Sequence, residues 1–101
     1  MAQVTTQHTD RDLFDWDLSV TVGYWQGLPE MATEWFAWDI DSRMDFLTDW
    51  PVTEERTARL LAMETTLPPN DERVMKLRAL RALVDRNRPI LKGLEARIHE
   101  K

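Results

Sequence analysis

The chain has 101 residues, 43% of them hydrophobic and 31% charged, with no cysteine and a formal net charge of −5. This length accommodates one domain with one modest core. The lack of cysteine excludes disulfides, thiolate metal sites and cysteine nucleophiles. No stretch approaches the roughly 20 apolar residues of a membrane span, and the first residues lack the basic start and apolar run of a signal peptide. We therefore expect a globular protein of the cytoplasm without membrane contact.

The charge is distributed unevenly along the chain. Residues 1–50 carry two basic and ten acidic side chains, for a net −8, whereas residues 51–101 carry eleven basic and eight acidic ones, for a net +3. All five tryptophans fall in the acidic half, and residues 73–92 hold seven basic side chains against Asp85 alone. Such an asymmetry indicates either an external partner or two segments of opposite charge that pack together.

The first 28 residues give the weakest structural signal. Residues 1–12 are polar and aperiodic, so we predict a flexible tail. Residues 13–28 alternate weakly with period two and are rich in aromatic and β-branched side chains, which favours an extended or irregular arm. No second strand is evident to pair with this segment. The arm then lies over helices, forms a short helix over residues 12–23, or pairs with another chain.

Two helices divided by proline are predicted between residues 29 and 67. A helix over about 29–48 begins with proline, which suits a first turn, and Trp50-Pro51 ends it because the residue before proline avoids the α region. Thr53 is a plausible N-cap of the next helix, over 53–67, which the following proline pair ends.

The C-terminal third shows the clearest periodicity in the chain. Apolar residues recur there three or four apart, together with one asparagine: Leu77, Leu80, Val84, Asn87, Leu91, Leu94 and Ile98. This pattern predicts a core-facing helix over 70–87, capped by Asn70 or Asp71. Pro89 predicts a kink or break, followed by a short helix over 89–100. Asn87 is interpreted as a turn residue ahead of that proline, or as a buried asparagine that pairs with a copy of itself.

These segments together define the expected fold. We predict a mostly α protein: a small three- to four-helix domain over residues 13–101 with an extended or irregular N-terminal arm.

The sequence contains no motif for independent catalysis. It has neither the glycine-rich loops that bind nucleotides nor the G-x-S-x-G nucleophile elbow. Glu34, Asp41 and Asp45 share one helix face, but the two histidines, His8 and His99, lie near the chain ends and not at the spacing of metal ligands. We expect no enzymatic activity, no cofactor and no metal, and we interpret the acidic face as solvated.

The aromatic side chains of the acidic half indicate an interaction role. They are more numerous than one short bundle seam covers, and aromatic surface rimmed by acid is typical of docking surfaces. Asp39 and Arg43 lie four residues apart among the apolar side chains of the predicted helix over 29–48. They form either an exposed ion pair or a desolvated pair at an interface. We predict a non-catalytic accessory, regulatory or assembly subunit that docks on a larger protein or forms a homo-oligomer. The predicted contact residues are Trp16, Trp25, Trp35, Trp38, Asp39, Arg43 and Trp50.

A rival hypothesis is a nucleic-acid-associated regulator that uses the basic stretch 73–92. Its arginines are suited to neutralising phosphates, with a strong salt dependence. They flank the apolar stripe without forming one separate face, and no aromatic residues are interleaved to stack on bases. Nucleic acid is therefore the less favoured partner. The candidate residues are Arg78, Arg81, Arg86 and Arg88.

Overall fold

A computed structural model describes the backbone of residues 2–99 and the side chains of residues 13–99. Helix α1 spans Ala2–Gln26, and a short helix α2 spans Leu28–Glu34 and continues into a 3₁₀ turn, Trp35–Ala37. Helix α3 spans Ile40–Ala62, a second 3₁₀ turn spans Met63–Thr65, and α4 spans Glu72–Ala96. The described residues contain no strand, which confirms the mostly α fold class. None of their helices is both long and apolar enough to cross a membrane.

The extended or irregular arm predicted over residues 13–28 is wrong, because most of this segment belongs to α1; of the alternatives a helix is observed, and it is longer than the one considered over residues 12–23. Phe14, Thr21 and Trp25 are buried, and Leu18 packs against the same core. These residues recur four, three and four apart, which is the spacing of one helix face. The weak alternation and the β-branched valines therefore led to a wrong prediction, since packing against other helices decides the conformation of an apolar segment. The predicted flexible tail over residues 1–12 is not confirmed, since the described backbone of residues 2–12 belongs to α1; the side chains of residues 1–12 lie outside the described part of the chain.

The predicted helix over 29–48 is two helices with a break between them. Trp38 and Asp39 adopt extended backbone conformations, with ψ of 146° and 167°. The Asp39 carboxylate then accepts a hydrogen bond of 2.7 Å from the backbone N–H of Ser42 and caps α3. The apolar pattern continued through this break and therefore concealed it.

Neither internal proline ends a helix. Pro51 lies inside α3 and Pro89 inside α4, so the predicted boundaries at residues 48–53 and 87–89 are wrong. Thr53, predicted as an N-cap, is instead a buried residue in the middle of α3. Burial on both sides of each proline offsets the lost backbone hydrogen bond, so tertiary packing overrides the local preference. The start of the last helix is confirmed, since the Asp71 side chain accepts from the backbone N–H of Arg73 at 2.9 Å.

Helices α1, α3 and α4 pack against one another, and α2 packs mainly against α4. Helix α3 runs antiparallel to α1, with Asp17 near Arg56 and Trp25 against Trp50. Helix α4 runs parallel to α1, because Lys76 lies 3.7 Å from Asp15 and, further along both helices, Asn87 contacts Trp25. The shared core consists of aromatic and aliphatic side chains: Phe14, Trp25, Leu28, Trp35, Trp50, Leu60, Leu77, Leu80, Val84, Leu91 and Leu94.

Trp25 joins the three long helices. Its indole is fully buried and donates a 2.9 Å hydrogen bond to the Thr57 hydroxyl of α3, which in turn donates to the Thr53 carbonyl. Its backbone carbonyl accepts a 2.8 Å hydrogen bond from the Asn87 side-chain amide of α4. The Arg88 guanidinium lies over its ring, 5.1 Å from the centroid. One residue at the end of α1 therefore contacts α3 and α4 through ring, indole N–H and carbonyl.

Pro29 explains why the Trp25 carbonyl requires a partner from another helix. In a continuous helix this carbonyl would accept from the N–H of residue 29. Proline has no N–H to donate, and a buried carbonyl without a partner costs about 1–3 kcal/mol. The Asn87 amide supplies the missing donor, so Asn87 is neither the predicted turn residue nor, in this chain, a residue turned toward a second copy.

We expect Asn87→Ala to lower the free energy of unfolding by about 1–3 kcal/mol, because the variant leaves the buried Trp25 carbonyl without its donor. Urea unfolding followed by circular dichroism measures this difference. Arg86→Ala, at an exposed position of the same helix, is the matched control and should shift stability by about 0.5 kcal/mol or less. Equal effects of the two substitutions would contradict the assigned role of Asn87.

Candidate functional site

The five tryptophans occupy very different environments. Trp25 and Trp35 are fully buried, Trp50 is 5% exposed, and Trp38 is half-buried. Trp16 is 58% exposed on α1. Three of the predicted contact residues are therefore core residues of this chain, and the aromatic surplus inferred from the sequence is smaller than the tryptophan count indicates.

The structure brings Trp35, Trp38, Asp39 and Arg43 together where α2 meets α3. The rings of Trp35 and Trp38 lie 5.8 Å apart, and Phe46 of α3 packs against both, at 5.9 and 6.4 Å. The Trp35 indole N–H donates to the Arg97 carbonyl, 3.3 Å away, just beyond α4. Trp16 lies elsewhere on α1, and Trp25 and Trp50 pack in the interior of the bundle.

The predicted Asp39–Arg43 ion pair is not formed in the described part of the chain. Asp39 caps α3, and the pKa of its carboxyl lies below the usual value, chiefly because the Ser42 backbone N–H donates to it and less because of the nearby Arg43 charge. Arg43 is 5% exposed and donates to the carbonyls of Trp35 and Ile98, each at 2.9 Å. It is the buried link between the α2–α3 break and the end of α4.

Arg43 suits this position because both acceptors lie at the ends of helical segments. Helix C-termini leave carbonyls without intrahelical partners and carry partial negative charge, so a guanidinium there both donates and is electrostatically stabilised. The same guanidinium lies 5.9 Å from the Trp35 ring centroid and 5.7 Å from that of Phe36. Its planar fork reaches several acceptors at once, which a lysine ammonium does not match.

An exposed apolar and acidic patch covers this junction, and we call it the junction surface. Its apolar members are Phe36, Ile40 and Met44, which are 40–48% exposed. Its acidic members are Glu34, Asp39, Asp41 and Asp45, all exposed. Arg43, the only basic residue between positions 34 and 45, points inward. Within the described residues no group of three or more histidines and carboxylates is arranged to hold a metal ion.

Most of the candidate nucleic-acid-binding arginines contact glutamates of the same chain. Arg78 and Arg81 lie 3.6 and 3.3 Å from Glu64, and Arg88 forms a two-pronged pair with Glu54 at 2.9 and 3.1 Å. The pair with Glu54 raises the pKa of Arg88. Arg86 is exposed. Part of the positive charge of α4 is therefore balanced within the fold.

Phe36, Ile40 and Met44 were not predicted from the sequence as surface residues. The sequence pattern placed them among the apolar residues of one predicted helix, over about 29–48, and gave them no separate role. The available signal was Asp39, an N-cap residue type directly before an apolar helical stretch. Reading Asp39 as a cap would have placed the helix break where the structure has it, with Phe36 outside α3 and Ile40 at its first position.

We expect Arg43→Met to lower the free energy of unfolding by about 1.5–3 kcal/mol, since it removes charged hydrogen bonds to buried or half-buried carbonyls. Amide hydrogen exchange should accelerate at residues 93–98, where α4 loses a contact at its end. Arg59→Met, at an exposed position of the same helix, is the matched control. Unchanged exchange at residues 93–98 in Arg43→Met would refute the link to α4.

Comparison with known proteins gives no family for this chain. No protein-family model matches the sequence, and neither a curated protein nor a solved structure is significantly similar to it. The surfaces of the chain itself therefore supply the evidence for its function.

Proposed function

We propose that this chain is a non-catalytic protein–protein interaction module of the cytoplasm that docks on a larger protein through the junction surface. The observation that supports the proposal is the exposure of Phe36, Ile40 and Met44 beside four exposed carboxylates. Large apolar side chains grouped on a surface and rimmed by charge are typical of interaction sites. The chain would serve as an accessory, regulatory or assembly subunit.

The backbone under the junction surface is held in place before any partner binds. Asp39 fixes the start of α3 through Ser42, and Arg43 ties the preceding turn to the residues after α4. Trp35 and Trp38 fill the space beneath. A pre-ordered surface loses less conformational entropy on association, and this favours affinity for a given buried area.

The charge of the junction surface defines the partner it suits. Four exposed carboxylates lie in the same stretch of chain as the three exposed apolar side chains, and no lysine or arginine is exposed between residues 34 and 45. Arg97, which lines a cavity together with Phe36, is a basic side chain at the edge of this surface. We propose a partner with a basic rim around an apolar centre. Opposite charges raise the association rate at low ionic strength and penalise acidic competitors. The apolar contact supplies most of the affinity.

The test is capture of a stoichiometric partner from the source cell, its identification by mass spectrometry, and measurement of the purified pair by calorimetry. We expect the double substitution Ile40→Glu/Met44→Glu to weaken binding at least about tenfold, which corresponds to about 1.4 kcal/mol. Met75→Glu is the control, because Met75 is 69% exposed on α4, away from the junction.

Two outcomes would overturn the proposal. One is equal affinity of the Ile40→Glu/Met44→Glu variant and the Met75→Glu control. The other is capture that nuclease abolishes and that alanine at all four candidate arginines removes, which would establish the nucleic-acid hypothesis in its place. The folded state of each variant is verified by near-ultraviolet circular dichroism before binding is measured.

A further inference from the structure

A second exposed apolar face runs along α1, on the side away from its core residues. Leu13, Trp16 and Tyr24 are 50–58% exposed, and Val20 between them is half-buried. They recur three, four and four residues apart, so they form one stripe along the helix. Val52 of α3, which is 61% exposed, lies beside this stripe. We call these five residues the α1 surface.

Arg56 of α3 lies under one end of the α1 surface. Its guanidinium is 5.8 Å from the centroid of the Trp16 ring, and its side chain is 20% exposed. Arg56 forms a long ion pair with Asp17 of the same chain, with Nε 3.9 Å from the carboxylate oxygen, and that buried Nε finds no hydrogen-bond acceptor among the described residues. A mostly buried guanidinium with one long ion pair and a buried Nε that makes no hydrogen bond gains further stabilisation from a second carboxylate.

A carboxylate marks the other end of the same surface. Tyr24, Asp49, Val52 and Arg56 line an open cavity of about 370 Å³ between α1 and α3. Asp49 is exposed and precedes Arg56 by seven residues, which is two helical turns, or about 10 Å along α3. The groove therefore has a guanidinium, loosely paired with Asp17, beside Trp16 and an exposed carboxylate beside Tyr24, with Val20 between them.

We propose that the α1 surface binds the same surface of a second copy of this chain, about a twofold axis near Val20. Such an axis brings residue i opposite residue j and j opposite i. Arg56 of each copy would then face Asp49 of the other, and each Trp16 would face a Tyr24. One symmetric contact pairs both charged ends and covers both exposed aromatic residues.

The charge pattern favours a second copy over a peptide of one sign. A basic segment would pair with Asp49 and oppose Arg56, whereas an acidic segment would pair with Arg56 and oppose Asp49. The twofold arrangement satisfies both ends with residues of this chain. It leaves Ile40 and Met44 on the other flank of α3, so a dimer would present two junction surfaces and could bind a repeated partner with increased avidity.

The oligomeric state tests the proposal through charge exchange. Sedimentation velocity over a dilution series should show a dimer of the unaltered chain. Asp49→Arg and Arg56→Glu should each give folded monomers, since each places like charges opposite one another. An equimolar mixture of these two variants should dimerise again, because the arginine introduced in one chain then faces the glutamate introduced in the other, and the second contact keeps its original Arg56–Asp49 pair. A general apolar association would not show this pattern.

A monomeric unaltered chain at every concentration would overturn the proposal, as would dimerisation of both single variants or a mixture that stays monomeric. Circular dichroism verifies folding, and Tyr24→Ser replaces any variant that fails to fold, with loss of the dimer expected again. Ile40→Glu/Met44→Glu should remain dimeric even where it no longer binds a partner, which separates the dimer from docking at the junction surface. Dissociation of this variant into monomers would contradict the α1 surface as the dimer contact.

Discussion

The fold depends on how the backbone carbonyl at the end of α1 obtains a hydrogen-bond donor. Pro29 removes the N–H that would serve the Trp25 carbonyl, and the side chain of Trp25 is buried completely, so a protein donor must come from elsewhere. Asn87 supplies it from 62 residues away, while Thr57 accepts from the indole of the same tryptophan. These two hydrogen bonds set the register of α1 against α3 and α4. A helix displaced by one residue would lose both.

A second buried polar side chain joins backbone segments at the opposite end of the last helix. The carbonyl of Ile98 lies beyond the end of α4, and that of Trp35 lies before the α2–α3 break; Arg43 donates to both. The backbone under the junction surface is therefore held in place by buried hydrogen bonds of Arg43. Phe36 and Ile40 flank the break that Arg43 and Asp39 hold in place, which connects a buried polar contact to the surface proposed for docking.

The sequence predicts some parts of this structure well, for physical reasons that its residues make plain. The C-terminal helix has an N-cap at Asp71 and a regular leucine stripe, so cap and periodicity agree and the prediction of its start is confirmed. The prolines at 51 and 89 predicted helix ends that do not exist, because local chemistry does not reveal how much surrounding surface becomes buried.

The candidate site was harder to predict than the helices. The composition alone does not distinguish buried tryptophans from exposed ones. In the packed structure Trp25 and Trp35 are fully buried, whereas Trp16 is exposed. Arg43 and Asp39 lie four residues apart, as in a helical ion pair, yet each forms a hydrogen bond with a backbone group instead. The most direct test of the central claim is a double-mutant cycle of Pro29→Ala and Asn87→Ala, followed by urea unfolding. Restoring an N–H at position 29 should reduce the cost of losing Asn87 by at least about 0.5 kcal/mol. An equal cost of Asn87→Ala with proline or alanine at position 29 would contradict it.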